Sequence, residues 1–327
     1  VEKAIQKEIK DIKPDLVYII HFVNKLSPSV IRGAKKLGVP VILRLSDYFL
    51  LCPRFDFMYN KKPCEECLTK GYMSCIKKRC VKGSLFASVI RVFSMKVHQM
   101  MNIYEDIDAF ITPSEYLKDK LIANGFDEKK ITCIPTFTAS KSEVGEPCIG
   151  MYGLYFGRVT EEKGVDTVVK AYEMMPDRHV KIMGDDTTDE AKRLKDYIAD
   201  KKIKNVEFVG FKAGEELEEI IKGARFTLIP SIWYDNLPNT ALESFQYSKP
   251  VIASNIGSLP ELILDGVNGY LFKPGDPGEL CKKIKLLDDD DLVKEMGSAS
   301  RSRLEERFAP KTHYDALLNI FNRVKNM

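Results

Sequence analysis

No run of about 18 uncharged apolar residues occurs anywhere in the 327-residue chain, which excludes a membrane-spanning helix from the sequence. The opening, Val1-Glu2-Lys3-Ala4-Ile5-Gln6-Lys7-Glu8, is charged and helix-like and has no apolar core of the kind a signal peptide carries. No nucleic-acid-binding module is legible, and the basic residues are not regularly interleaved with aromatics, so nucleic acid is not an expected partner. What is present is ordinary for a globular chain: 44% apolar and 30% charged residues. The length favours two domains, and a cytoplasmic location is expected. Charge is the uneven property. Residues 1–147 hold 24 Lys and Arg against 17 Asp and Glu, whereas residues 148–327 hold 26 against 30. A basic first half suits an acidic acceptor, or an anionic membrane whose inner face the protein would touch peripherally; a merely basic soluble domain is the plain alternative.

Strand-like apolar runs at residues 16–20, 41–45, 109–112 and 132–134 alternate with helical patterns such as 28–37 and 115–124. That alternation predicts a parallel sheet covered by helices. It resumes from residue 150, and the polar stretch 138–147, with its Gly and Pro, reads as a linker. The expected division is therefore 1–147, with a Cys-rich basic insertion at 52–100, then 148–311, then an amphipathic tail at 312–327.

The richest segment is residues 226–261. Phe226–Ile229 suits a short buried strand, which Pro230 and Ser231 end. Leu237-Pro238-Asn239 is turn chemistry, with Asn239 an N-cap for a helix through Thr240 and Glu243. A helix start carries unpaired N–H groups and partial positive charge, and so accommodates phosphate. Asp235 and Glu243, eight residues apart, bracket that start. Glu243 is placed to reach ribose hydroxyls and Asp235 a sugar hydroxyl; a loop acid and a helix-dipole acid are the plain alternatives. Upstream, the strand-like Tyr152–Phe156 runs into Gly157-Arg158-Val159-Thr160-Glu161-Glu162-Lys163-Gly164. Glycine permits close backbone approach, arginine offers a planar fork to phosphate oxygens, and lysine a point charge.

Together these two segments, in this order, resemble the retaining glycosyltransferases of family 4. The family's signature is a carboxylate, seven residues and a Glu, followed by a run of small residues and G-x-P-E. It is matched here by Asp235, Glu243, Pro250–Ser254 and Gly257-Ser258-Leu259-Pro260-Glu261, with Asp where the family usually has Glu. The resemblance implies an α/β fold of the GT-B kind, two Rossmann-like domains facing across a cleft, with the tail helix crossing back to the first. It implies a nucleotide-sugar donor of the UDP, GDP or ADP type, held by Gly157, Arg158, Lys163, Gly210, Phe211, Asn236, Leu237, Asn239, Thr240 and Glu243. It further implies a carbohydrate or lipid-linked acceptor in cell-surface polysaccharide or glycolipid synthesis, and no cofactor for catalysis. Arg158, Lys163 and Asp235 carry the catalytic expectation. Ser46 joins them, because Ser46-Asp47 matches a family site that often has His before the Asp. A buried core position is the competing reading of Phe211. Set against the family, the first domain is incomplete: about two strand-and-helix units, including a glycine-rich loop, would precede residue 1. A catalytically weak donor-binding homologue and a GT-B epimerase or phosphorylase stay open as alternatives, although no motif for a pyridoxal phosphate lysine is present.

Three features fall outside that frame. His21 follows a strand, where either a ligand contact or a locally satisfied histidine fits. Cys64, Cys67, Cys75 and Cys80 form C-x2-C-x7-C-x4-C, a set that suits a structural zinc, with disulfides, free thiols or an iron–sulfur cluster as alternatives. Residues 82–97 are apolar with basic punctuation, which fits an interfacial helix or a helix packed on its own domain.

Overall fold

The computed structural model describes residues 1–20, 27–138 and 149–326. His21 and most of the 138–147 stretch lie outside the described residues. The chain divides into two units, one of Val1–Pro135 with His313–Met327 and one of Thr136–Thr312.

The first unit is built on a parallel sheet of β1 (Val17–Ile19), β2 (Val41–Arg44), β5 (Ala109–Thr112) and β6 (Ile131–Cys133), in the order β1-β2-β5-β6. Val41, Ile42 and Leu43 are fully buried, as expected of a strand covered on both faces. The register pairs Val17 with Val41, Ile42 with Ala109 and Phe110 with Ile131. Between β2 and β5 the chain makes a two-stranded antiparallel hairpin of β3 (Met58–Tyr59) and β4 (Lys62–Pro63), then helices Glu66–Thr69, Met73–Lys78 and Leu85–Met100. The last helix, Pro310–Lys325, returns to this unit. Its Ile320 and Val324 pack with Ile42, Ala109, Ile111 and Ile134, and Phe321 meets Tyr18 edge-on with ring centroids 5.3 Å apart. A tail that buries an apolar stripe there is fixed by the same burial that holds any core helix.

The second unit holds six parallel strands: β7 (Tyr152–Phe156), β8 (His179–Met183), β9 (Val206–Gly210), β10 (Ala224–Ile229), β11 (Val251–Ser254) and β12 (Gly269–Phe272). They lie in the order β12-β11-β10-β7-β8-β9. From β7 the chain runs outward through β8 and β9, then returns to the other side of β7 to start β10. The loops after β7 and β10 therefore leave the sheet in opposite directions. They open a crevice at the strands' carboxyl ends, the place where doubly wound sheets bind ligands. The helix Val165–Glu173 closes the β7–β8 crossover by burying Val165, Val168, Val169 and Tyr172, one face at helical spacing.

Candidate active site

Each segment singled out in the sequence reaches the β7/β10 crevice by a traceable route. β7 ends at Gly157, whose N–H donates to Met183 O at 3.0 Å. The chain then makes a short 3-10 turn, Glu161–Lys163, and Gly164 at φ 69° turns it into the following helix. Gly164 is obligatory here, since a Cβ would lie 2.0 Å from Pro230 O in the loop after β10. The Ile232 N–H donates to Glu162 O at 3.0 Å, so the two loops are joined backbone to backbone.

That junction sets Lys163 against Asp235, 72 residues on: Nζ and Oδ2 are 2.7 Å apart. The Asp235 side chain is buried and also accepts from Ser231 Oγ at 2.8 Å. Its main chain is gripped by the 257–258 turn, where Ser258 Oγ donates to Asp235 O at 2.8 Å and accepts from the Leu237 N–H at 2.7 Å. Gly257, at φ 60°, leaves room for this, because a Cβ would sit 2.9 Å from Asp235 O. The G-x-P-E segment thus acts as a clamp on the carboxylate loop.

The helix Asn239–Gln246 starts one residue earlier than its sequence suggests. Pro238 occupies the N-cap and Asn239 is the first helical residue, so Asn239 does not cap. The N–H groups of Asn239 and Thr240 meet no acceptor among the described residues. Thr240 faces the end of β7: a Cβ on Gly157 would lie 3.9 Å from its Cγ2. Glu243, three residues further, shares that helix face. It is half-buried and has no hydrogen bond or ion pair among the described residues, and burial alone raises its carboxyl above the usual carboxylate range.

Arg158 contrasts with Lys163. Its side chain is 66% exposed, and its nearest acid, Glu162 Oε1, is 3.6 Å away and already accepts from Thr160 Oγ1 at 2.8 Å. The guanidinium is left open to an incoming anion while Tyr155, donating from its hydroxyl to Arg158 O at 2.5 Å, fixes the backbone beneath it.

The remaining expectations divide. Gly210 takes φ 73° at the end of β9, and Phe211 beyond it is 72% exposed, which removes the buried-core reading of that ring. Three strand intervals, about 14 Å, separate β9 from β10, a span that a nucleotide can bridge. Asn236 lies in the loop beside Asp235. Leu237 gives its N–H to the Ser258 hydroxyl and packs its side chain with Ala241, Leu242 and Phe245, so neither is offered to a phosphate. Ser46, exposed, and Asp47, which accepts from the Phe49 N–H at 2.9 Å, follow β2 in the first unit.

The zinc expectation is also corrected. Among the described residues no group of three or more His, Cys, Asp or Glu is disposed to hold a metal ion. Cys64, Cys67, Cys75 and Cys80 are free thiols. Lys78 Nζ stands 3.6 Å from Cys64 Sγ, and Cys75 is turned inward to hydrogen-bond with Cys80. Burial, with the neighbouring thiols, pushes Cys67 and Cys75 up to about 12, so both are protonated thiols in this metal-free form.

Sequence reading missed Trp233, the chain's one tryptophan. Its ring lies 5.3 Å from Lys163 Nζ, and its Nε1–H is buried without a partner among the described residues. A buried N–H left unpaired costs about 1–3 kcal/mol, so this donor stands ready for a ligand oxygen. The signal was available as a lone Trp two residues ahead of Asp235, but nothing in its spacing marks it.

The chain is similar to known proteins. Residues 150–303 match the family described as glycosyl transferases group 1. The match lies within the second unit. An uncharacterized glycosyltransferase of Methanocaldococcus jannaschii is 28% identical over 193 residues, which cover 58% of this chain and 52% of that protein. The chain thus spans about half the length of that curated relative. Among solved structures, a glycosyltransferase from Rickettsia africae superposes with a TM-score of 0.74 at 18% identity, covering 99% of this chain and 80% of that one. Anabaena HepE in complex with UDP gives 0.73 at 17% identity, covering 98% and 82%. These likenesses establish the fold: α/β, with Rossmann-like domains, of the GT-B glycosyltransferases.

Glu243→Gln separates stability from ligand binding in the second unit. A carboxyl whose pKa is raised on folding binds its proton more tightly in the folded state, so the unliganded protein loses stability as pH rises from the ordinary carboxylate value through the raised one. The neutral amide removes that loss. At neutral pH the variant is expected to melt above the parent, with the gap closing in acid below the ordinary carboxylate value. Its affinity for nucleoside diphosphates should fall about 10- to 100-fold, the worth of a charged hydrogen bond. Calorimetric melting across pH, with and without nucleotide, reads both; a variant that melts with the parent at every pH contradicts the assignment.

Proposed function

We propose that this protein is a retaining glycosyltransferase, moving a sugar from a nucleoside-diphosphate sugar to an acceptor hydroxyl. The observations that carry the reading are Glu243, without a partner among the described residues on the helix whose Thr240 faces the end of β7, and the Lys163–Asp235 pair that joins the loops after β7 and β10.

The demand of the reaction is to stabilise a departing diphosphate while positive charge grows on the sugar ring. Arg158, Lys163 and the free N–H groups at Asn239 and Thr240 present fixed positive charge to the diphosphate, so little reorganisation accompanies bond breaking. Glu243 accepts from the ribose hydroxyls. The Asp235 carboxylate orients Lys163 and, through its second oxygen, can meet a sugar hydroxyl. The anomeric carbon–phosphate oxygen bond breaks, the acceptor oxygen bonds to the same face of that carbon, and the acceptor's proton passes to the leaving phosphate. The ring of Phe211 offers a surface for the base. The first unit, with Ser46 and Asp47 beyond β2, is assigned to the acceptor, a carbohydrate or a lipid-linked saccharide at the cytoplasmic face of a membrane, as in cell-surface polysaccharide or glycolipid synthesis. Anabaena HepE has been solved with UDP and with UDP-glucose, which favours a UDP-linked donor here.

Thermal melting against UDP, GDP and ADP tests the donor half. The matching nucleotide at about 100 times its dissociation constant should stabilise the protein by about 2.7 kcal/mol. Incubation with the corresponding nucleotide-sugar and a hydroxyl acceptor should give a product whose anomeric configuration, read by NMR, equals the donor's. Absence of stabilisation by every nucleotide overturns the site; binding without turnover favours the catalytically weak homologue instead.

A further inference from the structure

From Cys67 to Tyr104 the chain runs 38 residues without one Asp or Glu, while carrying seven Lys and Arg. The long helix of this stretch, Leu85–Met100, begins at Ser84, whose Oγ accepts from the Ala87 N–H at 3.3 Å. Ser88, Val92 and Met95 point inward at spacings of four and three. On the other side, Phe86, Ile90, Phe93, Val97 and Met100 recur at four, three, four and three, which places them along one stripe. That stripe is not core. Phe86 is 75% exposed, Phe93 68% and Met100 82%. Scattered exposed apolar residues are ordinary, but two phenyl rings in line with Ile90 and Met100 form a continuous patch that asks for a partner.

We propose that this face docks on an anionic lipid surface, with the helix lying in the plane of the interface. Exposed cations ring the stripe. Lys82 stands just ahead of the N-cap, and Lys96 lies on the helix itself. Lys77 and Arg79 are exposed at the end of the neighbouring helix. The two helices are held side by side, with Gln99 Nε2 donating to Tyr72 OH at 3.1 Å and Lys96 Nζ 5.2 Å from the Tyr72 ring. Buried rings flanked by lysines are the pattern of a helix seated at the headgroup–acyl boundary. Each such cation adds about 1 kcal/mol of attraction to an anionic leaflet. A second copy of this chain fits worse, because two acid-free basic faces would meet and repel. Among the described residues no helix is long and apolar enough to cross a membrane, so the contact is one of lying on the surface. The proposal rests on the transfer reading only for its consequence, that a lipid-linked acceptor would be met where this unit sits.

Co-sedimentation of the full chain with vesicles tests it. Vesicles of phosphatidylcholine with phosphatidylglycerol should retain the protein at least about tenfold better than phosphatidylcholine alone, with the difference shrinking in high salt. Phe86→Ser with Phe93→Ser should lower retention about tenfold or more without moving the melting temperature, since both rings are in solvent. Lys82→Glu with Lys96→Glu should lower it as well. Equal retention on both vesicle types, or retention unchanged by the Phe pair, overturns the proposal. A concentration-dependent dimer lost with the Phe pair, in a protein that ignores vesicles, also overturns it and assigns the face to a second copy. The nucleotide-induced stabilisation should be the same in all these variants. If it is missing while vesicle binding stands, the transfer reading fails and the docking face does not.

Discussion

Replacing Lys163 by Ala is expected to cost the second unit about 3–5 kcal/mol of stability and, with it, most donor affinity. The cost comes from the partner. Asp235 is buried, and once Nζ is gone its carboxylate keeps only the Ser231 hydroxyl among the side chains shown to touch it. An uncompensated buried charge is far worse than either the pair or two neutral groups. Denaturant titration should therefore find Lys163→Ala strongly destabilised and the double variant Lys163→Ala with Asp235→Asn largely recovered. Nucleotide affinity should stay low in both. The double variant keeps the experiment readable if the single one does not fold. Parent-like stability of Lys163→Ala would mean that the pair does not form in solution, and the positioning of Lys163 would then need another account.

For Arg158→Ala the expected pattern is the reverse. The side chain is 66% exposed and its one acidic neighbour is 3.6 Å away, so stability should change by less than about 0.5 kcal/mol. Turnover should fall about 100- to 1,000-fold, the usual loss when a fixed donor to a developing anion is removed. Arg158→Lys should recover only part of that, because a point charge does not replace a planar fork on two phosphate oxygens. Steady-state kinetics with the donor identified by thermal melting reads the effect. An Arg158→Ala enzyme with parent-like kcat/KM would take this residue out of the site.

Two cations within one eight-residue segment thus differ by how they are held, and that difference was not legible in the sequence. The strands were: β5 and β7 fall where their apolar runs predict, and β1, β2, β6 and β10 lie within a residue or two, because buried parallel strands read as short continuous apolar stretches. The helix after β10 was legible from its turn chemistry, but its first residue was not, since Pro238 takes the cap that Asn239 promised. Spacing alone suggested a zinc site at the cysteines, yet spacing does not say which way each thiol points. The helix Met73–Lys78 turns Cys75 inward and leaves Cys64 beside Lys78.

The sequence by itself determined the alternation of strand and helix, the likeness of residues 150–303 to the group 1 glycosyl transferases and the identity of the side chains at the crevice of the second unit. These are local properties: hydrophobic period, glycine, turn residues and short spacings. Only the tertiary structure decided that Lys163 is held by a buried acid while Arg158 is mostly exposed, that Glu243 and the Trp233 N–H have no partner among the described residues, and that one stripe of the helix Leu85–Met100 stays in solvent. Each depends on what lies opposite a side chain once strands far apart in sequence become neighbours, and one-dimensional patterning carries no record of that.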